Sequence, residues 1–236
     1  MGTSLPVEPD IKKEQHFFTD EKLLQEIVRA ASLTKKDVVL EIGAGTGILT
    51  RELVKYARKV VAVEIDLRLR PLLQLLPKNA EVIMDDALAV LPRRKDFNKI
   101  VANIPYQICE PLLQYLCSAK QVELSVLTVP LKFARRAQKH PLFAAFLMVE
   151  IIQEVPKEAF SPPPKVRSAI VRITPNTADN DEQFILRKLH WQRTKKLRNG
   201  LRDTLIDFYE RKMKKLSKKE ALELIKKMRY STQKAG

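Results

Sequence analysis

The 236-residue chain is poor in the residues that staple or metallate small folds. It has two cysteines, Cys109 and Cys117, eight positions apart. That spacing suggests neither a disulfide framework nor a metal site. Its three histidines, His16, His140 and His190, are scattered and lack zinc-ligand spacing. No apolar run reaches transmembrane length. No signal-peptide pattern opens the chain, and Pro6 breaks the myristoylation pattern that Gly2 would begin. From these absences we expect a cytoplasmic monomer with no membrane partner and no metal. Acidic residues are also in short supply: 28 Asp and Glu stand against 43 Lys and Arg, a net charge of +15. A surplus of that sign suits a polyanionic partner such as nucleic acid.

The charge is uneven. Residues 187–236 hold 17 Lys and Arg against 5 Asp and Glu, a net of +12, so the first 186 residues carry only +3. Residues 1–14 are polar, contain Pro6 and Pro9, and are expected to form a loose arm. A helical stripe of Leu23, Leu24, Ile27, Val28 and Ala31 follows, with Asp20 or Thr19 as its cap. Strand-like runs then alternate with helical ones. The strands are read at Val38–Ile42, Val60–Ile65, Glu81–Met84, Lys99–Asn103 and Leu124–Val129. Helices are read at Ile48–Ala57, Arg68–Leu76, Pro111–Ser118 and Lys132–Lys139. Such alternation predicts an α/β domain with a parallel sheet covered on both faces. Phe146–Val155 and Val166–Ile173 are joined only by a short proline-rich segment, so they should pair antiparallel. After the linker 175–181 only helical patterns remain. The expected organisation is an arm (1–14), an α/β domain (15–174) and a small basic helical domain (182–236).

Glycine is scarce, yet three of six glycines fall in Glu41-Ile42-Gly43-Ala44-Gly45-Thr46-Gly47, directly after an apolar strand run. Glu64 ends the next strand run. Strand, glycine turn, helix, strand and carboxylate form a nucleotide-binding βαβ layout. Gly43 and Gly45 allow a tight turn and close approach of a ligand. Glu64 can accept two hydrogen bonds from a ribose diol. The spacing G-x-G-x-G differs from the G-x-G-x-x-G of dinucleotide binders. A carboxylate at Glu41 suits a cationic amino-acid group, which S-adenosylmethionine has and NAD lacks; its rival role is a cap or loop residue. Asp86 is placed to accept from an adenine amino group, and equally to cap a helix over Ala87–Val90.

Asn103-Ile104-Pro105-Tyr106 closes the fourth strand run, where ligands bind in such sheets. An adenine N6 is a poor nucleophile because its lone pair is delocalised into the ring. Two acceptors, the Asn103 side-chain oxygen and the Ile104 carbonyl, would localise that pair. Pro105 stiffens the turn, and Tyr106 offers a face on which an extruded base stacks. Methyl transfer from a sulfonium is already activated, so the protein supplies mostly positioning.

With Gln15-His16-Phe17-Phe18, Glu64-Ile65-Asp66, Asp86-Ala87-Leu88 and Phe160-Ser161-Pro162-Pro163-Pro164-Lys165-Val166, these motifs resemble, in order, the ribosomal RNA adenine N6,N6-dimethyltransferase family. The likeness covers about residues 13–174. It implies a Rossmann-like class I methyltransferase sheet with a terminal antiparallel hairpin, and S-adenosyl-L-methionine as cofactor. It implies that Gln15, His16 and Phe18 close over the cofactor, and that Glu41, Gly43, Gly45, Glu64, Asp86 and Asn103 hold it. It implies a catalytic set of Asn103, Ile104, Pro105, Tyr106 and Phe160, with Phe160 against the base opposite Tyr106. Phe160's rival place is that of a buried hydrophobe in the hairpin loop. Two positions depart from the family pattern, which usually has Gly where this chain has Glu14 and Asp85.

The tail His190–Asn199 looks like archaeal and eukaryotic-type members acting on small-subunit RNA. Two adjacent adenosines near its 3′ end are the expected target, in an immature small ribosomal subunit. Trp191 is expected in the core of the helical domain. Lys195, Lys196, Arg198 and Arg202, with the Lys212–Lys219 cluster, are the candidate RNA contacts; helical spacing would put Lys195, Arg198 and Arg202 on one face. The competing functions are a large-subunit RNA methyltransferase of the macrolide-resistance type and a non-catalytic RNA-binding assembly or transcription factor. An NAD-dependent enzyme is disfavoured by the glycine spacing.

Overall fold

A computed structural model describes residues 8–9, 15–192 and 195–215. The chain divides into two compact units, Met1–Asn176 and Thr177–Gly236.

The first unit opens with β1 (Phe17–Phe18) and α1 (Glu21–Ala31). Asp20 caps α1 by accepting from the Lys22 and Leu23 amides, and the expected stripe Leu23, Leu24, Ile27, Val28 and Ala31 is buried. Then come β2 (Val38–Ile42), α2 (Ile48–Tyr56), β3 (Lys59–Glu64), α3 (Arg70–Leu73), β4 (Ala80–Met84), α4 (Ala87–Arg93), β5 (Lys99–Asn103), α5 (Cys109–Leu116), β6 (Leu124–Pro130) and α6 (Leu131–Lys139). The unit closes with α7 (Pro141–Phe146), β7 (Leu147–Val155), β8 (Phe160–Ser161) and β9 (Ser168–Pro175).

Seven strands form one sheet in the order β4-β3-β2-β5-β6-β9-β7. The pairings from β4 through β6 are parallel, while β9 runs antiparallel to both β6 and β7. The expected hairpin is therefore present, with its second strand inserted beside β6. β2 is buried along its whole length because helices cover both faces. One face packs Leu40, Ile100 and Leu127 against α4, α5 and α6. The other packs Val39, Val101 and Val126 against α1 and α2. The chain leaves β2 toward β3 and β4, then returns to β5 on the other side. That switch point, at the strand carboxyl ends, is where an open sheet makes a crevice.

Three local features differ from expectation. The helix read over 68–76 is a 3₁₀ turn (Leu67–Leu69) followed by the single turn α3. Leu75 and Leu76 amides bond three residues back, and Pro77 disfavours helical backbone at Leu76. Residues 141–146 form a helix, with Pro141 in its first turn. β1 pairs antiparallel with β8, Phe17 opposite Ser161 and Phe18 opposite Phe160, which ties the N-terminal segment to the proline loop.

The second unit contains α8 (Asp181–Trp191) and α9 (Leu197–Lys215). Asn180 caps α8 by accepting from the Gln183 amide. Lys188–Asp207 (2.7 Å), Arg211–Asp179 (2.7 Å) and Lys212–Asp181 ion pairs bind it internally. Trp191 is 53% exposed, so it is not the core residue the sequence suggested. Among the described residues no helix is long and apolar enough to cross a membrane, and no cluster of His, Cys, Asp or Glu could hold a metal.

Candidate active site

A cleft of about 360 Å³ opens at the carboxyl ends of β2, β3, β4 and β5. Its floor is the glycine turn. Gly43, Gly45 and Gly47 all have positive φ, at 72°, 58° and 78°, where a side chain is strained. A Cβ on Gly45 would come within 3.0 Å of the Phe17 ring, and one on Gly43 within 3.6 Å of Pro105. The turn is thus pressed between the N-terminal segment and the Asn103–Tyr106 motif.

Four carboxylates line the cleft, Glu41, Glu64, Asp85 and Asp86; among the described residues no Lys or Arg does. The Glu64 carboxylate is preorganised by backbone. One oxygen accepts from the Gly45 amide at 2.8 Å, the other from the Ile65 and Asp66 amides, each at 2.9 Å. Three of its about four lone-pair sites are thus filled by backbone, and the oxygen that accepts from Gly45 keeps one. Glu41 is 1% exposed and accepts from the Thr50 hydroxyl at 2.6 Å. Burial pushes its carboxyl up to about 8; the Thr50 bond offsets part of this, and the Glu64 charge adds to it. Between pH 4.5 and about 8 the folded state holds a proton that the unfolded state has released. Stability from this group is therefore full below that window and lost as pH rises through it. Glu41→Gln is expected to flatten the pH dependence of the unfolding free energy between those values; an unaltered profile would show that Glu41 is ionised in the free protein.

Asp86 caps α4, accepting from the Leu88 amide at 2.8 Å. Asp85 accepts from the Asp86 amide at 2.8 Å and lies 4.0 Å from Arg93. Both aspartates border the cleft.

The N-terminal segment forms another wall. Gln15 donates to Asp66 at 2.9 Å. His16 Nδ1 donates to the Pro162 carbonyl at 2.7 Å. Asn103 Nδ2 donates to the His16 carbonyl at 2.8 Å. A carbonyl only accepts, so this bond fixes which end of the Asn103 amide is which and leaves Oδ1 as its remaining acceptor. Tyr106 stands in a 3₁₀ turn (Tyr106–Ile108), and its hydroxyl lies 2.6 Å from Ser168 Oγ.

The structure brings Gln15, His16, Phe18, Glu41, Gly43, Gly45, Glu64, Asp86 and Asn103–Tyr106 to one cleft. It does not bring Phe160 there. Phe160 is 3% exposed and stacks on Phe18 at 4.9 Å, because the β1–β8 pairing turns both rings into the core. The ring facing Tyr106 is that of His16, with centroids 6.1 Å apart. Phe160 thus holds its rival place here, that of a buried hydrophobe in the loop.

Thr50 and Ser168 were missed from sequence. Ser168 is fully buried at the start of β9 and positions Tyr106. Ser168→Ala and Tyr106→Phe are each expected to raise the KM for a substrate held against the Tyr106 ring several-fold and leave ligand binding over the glycine turn unchanged. The double variant is expected to add little to either, as for partners in one bond. Additive effects would separate the two residues.

In the second unit, Lys195 precedes α9 rather than lying on it. It pairs with Asp203 at 2.8 Å, and Arg202 meets the same carboxylate at 3.3 Å. The single face expected for Lys195, Arg198 and Arg202 therefore reduces to Arg198 and Arg202, one turn apart on α9. Lys196 and Arg198 are exposed and have no ion-pair partner among the described residues. Residues 216–219 of the Lys212–Lys219 cluster lie outside the described residues.

Sheet order and site together define a class I methyltransferase fold. A solved structure of the 23S rRNA methyltransferase ErmE aligns with a TM-score of 0.64 at 29% identity, covering 78% of this chain and 83% of that one. A dimethyladenosine transferase from Plasmodium falciparum aligns at 0.63 and 31% identity, covering 78% and 74%. The family model described as "Ribosomal RNA adenine dimethylase" matches residues 10–233. A "Probable ribosomal RNA small subunit methyltransferase A" of Methanococcus maripaludis strain C6 is 36% identical over 233 residues, 91% of this chain and 87% of that protein. A protein of the same name from Methanopyrus kandleri is 35% identical over 216 residues, 83% and 77%. The chain belongs to the ribosomal RNA adenine dimethylase family.

Proposed function

We propose that the protein uses S-adenosyl-L-methionine to dimethylate N6 of two adjacent adenosines near the 3′ end of small-subunit ribosomal RNA, in an immature subunit. The observation that carries this reading is the Asn103 amide, tethered through Nδ2 to the His16 carbonyl with Oδ1 left as acceptor. Asn103 and Tyr106 both line the acidic cleft.

The donor set fits the cofactor. Glu64, Asp85 and Asp86, with Glu41 able to ionise beside a cation and no lysine or arginine among the lining residues, favour a cation and oppose a pyrophosphate. Glu64 would take the ribose diol, Asp86 the adenine amino group, and Glu41 the amino-acid ammonium, over Gly43 and Gly45. Gln15, His16 and Phe18 would cover it. When bound, the cofactor supplies an electrophilic methyl group. The chain's own part is to bind the base and shape its nitrogen. The Asn103 Oδ1 and the Ile104 carbonyl would accept hydrogen bonds from the two N6–H groups, Pro105 stiffens the turn that carries that carbonyl, and Tyr106 holds the ring by stacking; the acidic ammonium formed on N6 by each transfer gives its proton to solvent. In the second unit Lys196 and Arg198, with Lys195 and Arg202 where they leave Asp203, would contact phosphates.

An ammonium against Glu41 would pull its raised carboxyl back down and expel the proton. Titration with S-adenosylmethionine at pH 7, in buffers of differing ionisation enthalpy, is expected to show up to about one proton released, and none from Glu41→Gln. Equal release from both proteins would remove Glu41 from the cofactor site.

The reading is tested by nucleoside mass spectrometry of purified ribosomal particles after incubation with labelled S-adenosylmethionine. Dimethyladenosine is expected in small-subunit RNA. A second reading, methylation of large-subunit RNA, is favoured by the likeness to ErmE; label confined to large-subunit particles would establish it. Label in neither would leave an RNA-binding factor.

A further inference from the structure

The small net charge of the first unit conceals where its cations sit. α6 presents Lys132, Arg135, Arg136 and Lys139, all exposed, and the proline loop ends on exposed Lys165 and Arg167. Three contacts join these pieces. The Leu131 amide donates to the Arg167 carbonyl at 2.9 Å. Arg135 and Arg167 converge on Glu154, at 2.7 and 3.0 Å. Arg136 reaches Glu110, in the first turn of α5, at 3.2 Å. Three of the six cations thus meet two carboxylates, and counted together the eight side chains carry four more positive than negative charges. These ion pairs are solvent-exposed, where such pairs contribute little, so a phosphate can displace the carboxylates at small cost. Arginine is suited to the exchange by its bidentate fork.

The surface borders the site. Ser168, next in the chain to Arg167, holds the Tyr106 hydroxyl. Glu110 lies just past the Tyr106 turn. α6 begins at the carboxyl end of β6, and in that strand Thr128 is paired with Asn103. We infer that this face of α6, with Lys165 and Arg167, is a phosphate-binding surface for the RNA strand flanking the target base. The inference rests on the proposed RNA substrate and assigns contacts to the α/β unit, beyond those of the basic tail.

The test uses the full chain and a small-subunit RNA fragment carrying the 3′ end. Lys132→Gln, Arg136→Gln and Lys139→Gln are combined, and log affinity is followed against log salt. Each lost phosphate contact removes about 0.7 to 0.9 from the slope. The slope is expected to fall by about 2 to 3, and affinity near 150 mM salt by about tenfold or more. S-adenosylmethionine affinity and the melting temperature should stay unchanged. A matched triple, Lys36→Gln, Lys78→Gln and Lys120→Gln, removes the same charge just before β2, β4 and β6, at the opposite strand ends, and should leave the slope near wild type. An unchanged slope in the α6 triple, with methylation intact, overturns the surface and leaves the function standing. Equal slope changes in both triples overturn it as a general charge effect. The predicted slope change in the α6 triple, with a wild-type protein that methylates no particle, supports the surface and removes the enzymatic reading. No RNA binding by the wild type overturns both.

Discussion

Replacing Asn103 by alanine is expected to slow methyl transfer by about a hundredfold or more at saturating RNA and cofactor. That is the usual cost of losing one preorganised hydrogen bond to a group whose charge changes in the transition state. Two bonds disappear in this variant: the proposed acceptor for an N6 proton, and the 2.8 Å tether to the His16 carbonyl. Asn103→Asp separates them. Aspartate keeps an acceptor at the same place but sets a carboxylate against the His16 carbonyl. Activity well above that of the alanine variant would assign the effect to the acceptor. Equal loss would assign it to the tether and so to the N-terminal wall. Near-normal turnover of Asn103→Ala would sink the mechanism. His16→Ala is a weaker probe, because the tether uses its backbone and survives the substitution.

The parallel strands were legible because strands buried on both faces read as continuous apolar runs: β2 and β5 fall where expected, and β3 and β4 within one residue of it. The cleft was legible for a related reason. Its residues sit at the carboxyl ends of those runs, so placing the strands places Gly43, Glu64, Asp86 and Asn103 together. What depends on contacts far apart in sequence was not legible. β1 and β8 are two residues each, too short for any periodic signal, yet their pairing decides that Phe160 packs on Phe18 and that His16 faces Tyr106. Thr50 and Ser168 are ordinary hydroxyl residues until the fold sets them against Glu41 and Tyr106. The α6 surface was hidden by counting, because its cations are balanced in the total by acids elsewhere. In the tail the helical spacing extends two residues too far: α9 starts at Leu197, so Lys195 falls in the turn and pairs with Asp203.

Replacing Glu64 by alanine is expected to weaken S-adenosylmethionine binding by about 2–3 kcal/mol, the cost of losing charge-assisted hydrogen bonding to the ribose diol. That is roughly a 30- to 150-fold rise in Kd. The same side chain accepts from the Gly45, Ile65 and Asp66 amides, so alanine also strips acceptors from the glycine turn. The free protein should lose about 1–3 kcal/mol of stability while still unfolding cooperatively, since β2 and β3 keep their full pairing. Calorimetry and thermal unfolding must be read together for that reason. Glu64→Gln retains one acceptor and the side-chain volume, and it should fall between wild type and alanine in affinity. Adenosine, which keeps the ribose but lacks the sulfonium and ammonium, supplies the decisive comparison. If Glu64 reads the diol, adenosine should lose about the same factor as the full cofactor. If the carboxylate acts only as one more negative charge in an acidic cleft, the cationic cofactor should lose affinity and neutral adenosine should not. Unchanged affinity for both ligands would remove Glu64 from the site.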